Sequence, residues 1–418
     1  MERRPTTQQV AISIIISAAL FAFALIWDDL TPIWRALVAG LGGLVGLLFL
    51  FTRPRSRSAA PDPLVDILEQ VVADETRRPW NPTTLPWLPT ALLPGPVLLV
   101  PAADYHLAEM VPLGEELDRR GLETRLAISE SPWSRTWQAL HWYQGLEMHQ
   151  LPTPEQAAAD TSLVVTMKDT GSMTDWVTEA RALGVIVVGK VEGAQDFWDT
   201  DTPDLRLPYR NLDLVLCQGR FDVDALDDRE TEIVGSTRLE RLYWAPPVVP
   251  RQALAVINLN FVYGVRTDDR DLWLETAIAG CEDVGIPYVV SVHPAERTRL
   301  KTSRTTRIAA ARLLPQATTL ISRFSTLPFE AMARGVPFVY HNPHGESVRT
   351  FSDPLGAFEI TDDASSLGSA LRSTPVPGHP TREKTRDFME RLVDMGDHRS
   401  EQRAAAVVER LLGTKTRG

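Results

Sequence analysis

The pattern of apolar and polar residues changes sharply near residue 52 of this 418-residue chain. Before that point, residues 10–27 carry no charge, and residues 36–51 form a second apolar run behind a short acidic turn. A helix of about 20 residues crosses a bilayer, and Arg35 beside the second run can extend its charge to the headgroups. The pattern therefore predicts a transmembrane hairpin and a basic linker over residues 1–58.

Basic residues flank both outer ends of this hairpin, namely Arg3, Arg4, Arg53, Arg55 and Arg57. Positive charge is retained on the cytoplasmic side, so we expect a plasma-membrane protein with two spans and its soluble part in the cytoplasm. A cleaved signal peptide is the alternative, although cleavage would leave the second apolar run in place. Gly42 and Gly46 allow close helix packing, either within one hairpin or between two chains of a homodimer.

The soluble part reads as an α/β protein. Residues 59–95 predict an amphipathic helix and a proline-rich connector. From residue 96, short apolar strands alternate with amphipathic helices, which is typical of doubly wound parallel sheets. Three prolines over residues 245–252 interrupt this alternation and indicate an interdomain linker. We therefore predict two Rossmann-like domains and a closing pair of helices, over residues 96–245, 253–382 and 383–418.

The predicted elements are short and regular. In the first domain the strands are expected at residues 97–101, 124–128, 163–167, 185–191 and 212–217. In the second they are expected at 254–259, 288–292, 319–322 and 338–341. The main helices are expected at 106–120, 133–147, 173–183, 269–284, 328–334, 383–395 and 400–412. Two such domains place a ligand in the cleft between them, at the carboxyl ends of the strands.

Composition narrows the function classes. The formal charge of −11 excludes a broadly cationic nucleic-acid binder, and 44% hydrophobic residues exclude a disordered protein. The only two cysteines, Cys217 and Cys281, lie in apolar runs and cannot form a disulfide framework or a cysteine-type zinc site. We expect a globular soluble part in a reducing compartment, without a nucleic-acid partner.

The segment from residue 320 to 346 carries the densest candidate chemistry. A strand ends at Ser322, the turn contains Arg323, Ser325 and Thr326, and a helix begins near Pro328. Exposed N–H groups, hydroxyls and an arginine suit a phosphate, and Glu330, one turn later, is placed to accept hydrogen bonds from ribose hydroxyls. The alternative is a purely structural strand–turn–helix unit in which the hydroxyls only cap the helix.

The string STLPFEAMARGVP in that segment resembles the donor-binding signature of GT-B glycosyltransferases. Its spacing is closest to the CDP-glycerol glycerophosphotransferase and capsule-polysaccharide branches. SVHPAER at residues 291–297 resembles the K-x-H-P segment of the same group, and VGSTRLERL at 234–242 resembles its G-x-P-R-x-D segment. The resemblance implies a GT-B fold and a donor site that includes His293, Arg297, Arg323, Ser325, Thr326, Glu330, His344 and Glu346.

The first domain supplies the candidate catalytic bases. VPAADYHLAEMVPLGEELDRRG, after the first strand, is similar to the G-H-x-x-P opening of inverting GT-B enzymes, although Tyr105 stands where glycine is usual and the proline comes two residues late. The resemblance makes His106 the general base, oriented by Asp104 or another acid. Glu192 and Asp196, at another strand end, are the rival bases.

The leading hypothesis is a membrane-anchored GT-B glycosyltransferase that transfers a sugar from a nucleotide-sugar to a lipid-linked or cell-envelope glycan acceptor. The resemblance implies no cofactor and no metal, so His341, His344 and Glu346 are read as structural or donor-contacting residues rather than as ligands. The alternatives are a CDP-glycerol-type polyol-phosphate transferase, a UDP-sugar 2-epimerase and a non-catalytic nucleotide-binding assembly subunit.

Overall fold

The structure is a computed structural model that describes residues 96–102, 104–128, 148–193, 208–250, 252–261, 266–293, 300, 302 and 304–415. The predicted hairpin, the connector over 59–95 and the predicted helix over 133–147 lie outside these residues. Within the described ranges, no helix combines the length and the apolar character that a membrane crossing requires.

The first half is built on a parallel sheet that has seven strands in the described residues, in the order β3-β2-β1-β4-β5-β6-β7. The strands are β1 (Val97–Val100), β2 (Thr124–Ile128), β3 (Met148–Gln150), β4 (Leu163–Thr166), β5 (Ile186–Lys190), β6 (Leu214–Cys217) and β7 (Thr231–Ile233). The helices between them are α1 (Leu107–Arg119), α2 (Pro154–Asp160), α3 (Ser172–Ala182), α4 (Arg220–Ala225) and α5 (Thr237–Trp244).

The second half is built on a parallel sheet with six strands in the described part of the chain, in the order β10-β9-β8-β11-β12-β13. The strands are β8 (Ala255–Leu259), β9 (Tyr288–Val292), β10 (Thr305–Thr306), β11 (Thr319–Ser322), β12 (Phe338–His341) and β13 (Glu359–Thr361). The helices are α6 (Arg270–Asp283), α7 (Ala310–Leu313), α8 (Leu327–Ala333), α9 (Ala364–Ser373), α10 (His379–Leu392) and α11 (Ser400–Lys415).

Local sequence explains where several helices begin and end. Thr153 Oγ1 accepts a hydrogen bond from the N–H of Gln156, and Gln156 Oε1 accepts one from the N–H of Thr153, so a capping box starts α2. Pro328 occupies the first turn of α8, where a missing N–H costs nothing. Gly335 follows α8 with a φ of +75°, and a Cβ there would lie 2.6 Å from the carbonyl oxygen of Gly378.

Each sheet is buried on both faces, as parallel sheets require. In the first half, α1 and α11 cover one face and α2 and α3 cover the other. In the second half, α8 and α10 cover one face and α6 and α9 cover the other. The last helix, α11, therefore returns to the first half of the chain, where Ala404, Val408 and Leu412 complete its core.

Helix α5 joins the two halves. Leu239 of this helix belongs to the core of the second half, while the start of the helix is bound to α1. At its other end, Arg382 donates to the carbonyl oxygens of Leu242 at 3.1 Å and Ala245 at 2.8 Å. The order of each sheet reverses beside its first strand, at β1–β4 and at β8–β11. The carboxyl ends of the strands at these points are where doubly wound folds bind ligands.

Candidate active site

His106 and Glu192, two of the predicted bases, are hydrogen-bonded to each other. His106 ends a 3-10 turn over Asp104–His106 after β1, and its side chain is 1% exposed. Its Nδ1 accepts a hydrogen bond of 2.9 Å from the N–H of Ala102, and its Nε2 contacts Glu192 Oε2. Because a backbone N–H only donates, Nδ1 is the unprotonated nitrogen of the neutral ring, and Nε2–H donates to the carboxylate.

Glu192 is the member of this pair that reaches solvent, with 23% of its side chain exposed. It follows β5, where its backbone N–H donates to Tyr209 Oη at 3.1 Å. The hydroxyl of Tyr105 donates to Glu192 Oε2 at 3.2 Å, on the same oxygen that His106 contacts. Both ring nitrogens of His106 thus have partners within the protein. Asp196 lies outside the described residues.

The loop that carries Glu192 packs directly against the predicted donor-binding turn. A Cβ on Gly193 would lie 2.4 Å from Thr326 Oγ1 and 2.6 Å from its Cγ2, so only glycine allows this approach without a shift. Thr326 immediately precedes α8, and Ser325 Oγ accepts from the N–H of Leu327 at 3.2 Å. The contact brings the end of β5 in the first half to the end of β11 in the second.

Arg323 and Glu346, predicted separately as donor contacts, form a buried ion pair. Arg323 donates through Nε to Glu346 Oε2 at 2.8 Å, contacts the same oxygen through Nη2, and donates through Nη1 to the carbonyl oxygen of Asn260 at 3.0 Å. Its guanidinium carbon lies 4.6 Å from the ring centre of Phe261. A donor phosphate would have to compete with these partners for Arg323.

Glu346, in the loop after β12, accepts further hydrogen bonds. Its Oε1 accepts from Tyr340 Oη at 2.5 Å and from the N–H of Phe324 at 3.1 Å. Burial alone would raise the pKa of Glu346, but the contact with His344 and the charge of Arg323 lower this pKa to about 2. The carboxylate therefore organises the turn between β11 and α8 together with the loop that follows β12.

The histidines of this loop are buried against protein groups. The His344 ring places Nε2 3.1 Å from Glu346 Oε2. His341 contacts Thr361 Oγ1 through Nδ1 at 2.9 Å and Thr276 Oγ1 through Nε2 at 2.8 Å. Burial and the neighbouring His344 lower the pKa of His341 to about 4. In the part of the chain that the structure describes, no three His, Cys, Asp or Glu side chains group as metal ligands would.

Arg238 is a candidate that the sequence analysis did not single out. It lies in the first turn of α5, and its Nη1 is 3.1 Å from Oε1 of Glu330 on α8, so the pair bridges the two halves. Among the described residues, Nε and Nη2 of Arg238 are buried without a hydrogen-bond partner, and so is Thr237 Oγ1. The signal was present in VGSTRLERL, where Arg238 stands at the arginine of the G-x-P-R-x-D resemblance.

The start of α5 is held by a buried carboxylate. Glu109 of α1 accepts from the N–H groups of Thr237 at 3.0 Å and Arg238 at 3.2 Å, and it contacts Ser236 Oγ. Lys190, the last residue of β5, places Nζ 3.0 Å from Glu109 Oε2, and both side chains are buried. Although burial alone would raise the pKa of Glu109, Lys190 and Ser236 lower it below its usual value.

The other predicted donor contacts either lie at the same edge of the second sheet or fall outside the residues that the structure describes. His293 directly follows β9 and is partly buried, whereas Arg297 lies outside the described residues. Asn258 donates to Ser322 Oγ at 3.0 Å, and Asn260 donates to the carbonyl oxygen of Phe324 at 3.2 Å. These two amides therefore bind the ends of β8 and β11 together.

No protein-family model matches the sequence, and a search of curated proteins finds no match either. Solved structures match the fold. A protein of Listeria monocytogenes assigned as a UDP-N-acetylglucosamine 2-epimerase has a TM-score of 0.54 and 13% identity, over 76% of this chain and 96% of that chain. The UDP-GlcNAc 2-epimerase of Methanocaldococcus jannaschii, solved with UDP-GlcNAc and UDP, has a TM-score of 0.54 and 13% identity, over 75% and 99%.

The wall teichoic acid polymerase TagF, from a crystal soaked with CDPG, has a TM-score of 0.51 and 12% identity, over 86% of this chain and 100% of that chain. The fold is GT-B. The expected GT-B architecture of two Rossmann-like halves is therefore confirmed for the described residues. At these identities the GT-B fold defines the architecture and leaves substrate and chemistry to the site itself.

Proposed function

We propose that this GT-B protein is a nucleotide-dependent transferase in which Glu192 activates the acceptor. The observation that carries the proposal is the contact of the Glu192–Gly193 segment with Thr326. This contact places the loop that carries Glu192, whose side chain is 23% exposed and contacts His106, against the predicted donor turn. A base and a donor-binding turn within one cleft are the minimum that group transfer to a hydroxyl requires.

In the proposed reaction, Glu192 takes the proton from an acceptor hydroxyl, and the freed oxygen attacks the anomeric carbon of the donor sugar. The bond from that carbon to the diphosphate breaks, and the nucleoside diphosphate leaves with the electron pair. His106 is a positioning residue here, because its Nε2–H fixes the carboxylate that faces the cleft. A carboxylate general base contributes roughly 10²–10⁴-fold to such a step.

The donor is proposed to lie against Ser325, Thr326, His293 and Arg238. The uncommitted guanidinium N–H groups of Arg238 make it a better candidate than Arg323 to offset charge on the leaving diphosphate. Glu330 is proposed to accept from the ribose hydroxyls in exchange for Arg238. The Arg323–Glu346 pair, with His344, then shapes the loop that faces the transferred group. We propose no cofactor and no metal for this step.

We further propose that the hairpin over residues 1–58 anchors the enzyme at the cytoplasmic face of the plasma membrane. Its two apolar runs and flanking arginines support this placement. An anchor of this kind keeps the cleft near an acceptor confined to the membrane, so a lipid-linked or cell-envelope glycan is the proposed acceptor. Pairing of two chains through Gly42 and Gly46 belongs to the same proposal.

A second candidate function is transfer of a polyol phosphate. The spacing from Ser325 to Glu330, which resembles the CDP-glycerol-dependent branch, favours it. In that reaction the acceptor oxygen attacks phosphorus, a phosphodiester forms, and the nucleoside monophosphate leaves. The leaving group therefore distinguishes the two transfers, since sugar transfer releases a nucleoside diphosphate.

The test uses the full-length protein in detergent with UDP-glucose, UDP-GlcNAc, GDP-mannose and CDP-glycerol. We expect one donor to raise the melting temperature and, with membrane extract as acceptor, to release its nucleoside diphosphate. Arg238→Gln should abolish the stabilisation, whereas Arg241→Gln, an exposed arginine on the same helix, should preserve it. Release of CMP would favour polyol-phosphate transfer, and conversion of the nucleotide-sugar without acceptor would favour an epimerase. Binding without turnover would favour the non-catalytic subunit.

A further inference from the structure

Tyr105 is an exposed aromatic residue that the fold does not use for its core. Half of the residue, 50%, is exposed, whereas the adjacent His106 is 1% exposed. Tyr105 follows β1 at the switch point of the first sheet, where doubly wound folds bind ligands, and its half-exposed ring presents an apolar surface there. In the motif resemblance, Tyr105 stands where glycine is usual.

The position of Tyr105 relative to the proposed base is fixed by two contacts. Its hydroxyl donates to Glu192 Oε2 at 3.2 Å. Its ring lies edge-to-face with the imidazole of His106, with the ring centres 4.6 Å apart. The backbone beneath it belongs to the 3-10 turn over Asp104–His106, which directly precedes α1. Tyr105 is therefore held in place by the same pair of residues that we assign to acceptor activation.

We infer that Tyr105 is an acceptor-binding residue. Its ring stacks against a hexopyranose of the acceptor, while its hydroxyl donates a hydrogen bond to the carboxylate of Glu192. The inference rests on the proposed function and assigns one residue of its acceptor side. The phenol oxygen of Tyr105 lies 3.2 Å from Glu192 Oε2, so a sugar ring whose hydroxyl binds the Glu192 carboxylate is wide enough to lie against the Tyr105 side chain as well. A sugar offers both surfaces that such a site needs, C–H groups for the ring and hydroxyls for the carboxylate.

Binding is measured on the full-length protein with octyl β-D-glucopyranoside as the probe, by saturation-transfer difference NMR. Wild type and Tyr105→Phe, which keeps the ring, should give comparable transfer to the sugar protons. Tyr105→Ala should weaken binding roughly tenfold, which corresponds to about 1.4 kcal/mol. Leu272→Ala, which shortens an equally exposed side chain on α6, is the matched control and should bind as wild type does. Equal binding by Tyr105→Ala, or none by wild type, overturns the inference.

Turnover supplies a second readout that a merely structural role would not move. With the donor identified above, Tyr105→Ala should raise the KM for the acceptor and leave the KM for the donor and the melting temperature unchanged. Tyr105→Phe should keep the acceptor KM and lower kcat a few-fold through the lost contact with Glu192. An unchanged acceptor KM in Tyr105→Ala with a lowered melting temperature would make the residue structural. Because probe binding does not depend on turnover, absence of transfer by wild type counts against the proposed function alone.

Discussion

Single residues in this candidate site divide into partly exposed ones, such as Glu192, and buried ones that hold their neighbours in place. Glu346 belongs to the second group, because it gathers Arg323, Tyr340 and the N–H of Phe324 around one carboxylate. A buried carboxylate with a charged partner is costly to disturb, since removal of one member leaves the other charge unpaired. The loop after β12 and the turn before α8 thus depend on the ionised form of Glu346.

Acid should therefore weaken the fold through Glu346. The pKa of this group is lowered from 4.5 to about 2 in the folded protein. The stability that it contributes is present above the unfolded value and is lost as pH falls toward the folded value, on the order of 3 kcal/mol. Urea unfolding at about pH 6 and about pH 3 should show a smaller pH-dependent loss for Glu346→Gln than for wild type. An equal loss in both proteins would contradict this assignment.

His106 and Glu192 were predicted from the sequence, but the contact between them was not. His106 was predicted as the base from a motif resemblance, and Glu192 and Asp196 were predicted as rival bases from their place at another strand end. Their hydrogen bond depends on the placement of the start of α1 beside the end of β5, and the sequence does not reveal this for two residues 86 positions apart. The same limit applies to Arg323 and Glu346, which were predicted as independent donor contacts and are 23 positions apart.

At the scale of elements, the contact between the β5 loop and α8 depends on the missing side chain of Gly193. Gly193→Ala should destabilise the protein by about 1–3 kcal/mol, because its Cβ would overlap Thr326 Oγ1 and Cγ2. Urea unfolding should show part of this loss recovered in Gly193→Ala/Thr326→Ala, where both overlapping atoms are absent and the strain of alanine at a φ of +158° remains. A double variant no more stable than Gly193→Ala would show that the two elements do not meet there.

The central strands were predicted best among the elements. The predicted strands at 288–292, 319–322 and 338–341 coincide with β9, β11 and β12, which are mostly apolar and in which every residue is buried. Edge strands were missed, because β3, β10 and β13 have two or three residues and no apolar run. The helix predicted at 383–395 begins four residues earlier, at His379, where Gly378 precedes it with a φ of +130°.

At the scale of the whole molecule, the buried ion pair of Glu109 and Lys190 links three elements. Glu109 lies on α1, Lys190 ends β5, and Glu109 also accepts a hydrogen bond from the start of α5. Glu109→Gln should lower the free energy of unfolding by about 3–5 kcal/mol, because it leaves the Lys190 charge buried without its partner. Glu109→Gln/Lys190→Met should recover much of this loss, since no charge then remains unpaired. Equilibrium unfolding of the full-length protein measures both. If the double variant is less stable to unfolding than Glu109→Gln, Lys190 stabilises the fold through its hydrogen bond to the carbonyl oxygen of Gly235 instead.

The two halves and the returning helix α11 form the frame in which the loop after β5 meets the predicted donor turn. The predicted linker near residues 245–252 and the domain limits derived from it stay predictions, although the strands of the two sheets fall on either side of it. The polar residues that join the halves, Glu109, Arg238 and Arg382, were not predicted as a group. Each is unremarkable in its own segment and gains its role only when α5 is placed between α1 and α8.

The central claim is that Glu192 is the base of a transfer reaction, and Glu192→Gln tests it most directly. With the donor that stabilises the wild-type protein, we measure donor affinity by calorimetry and turnover by release of the nucleotide product. Glu192→Gln should bind the donor as wild type does and lose roughly 10²–10⁴-fold in kcat. Glu179→Gln, an exposed carboxylate on α3, should retain both properties. Wild-type turnover in Glu192→Gln would contradict the account.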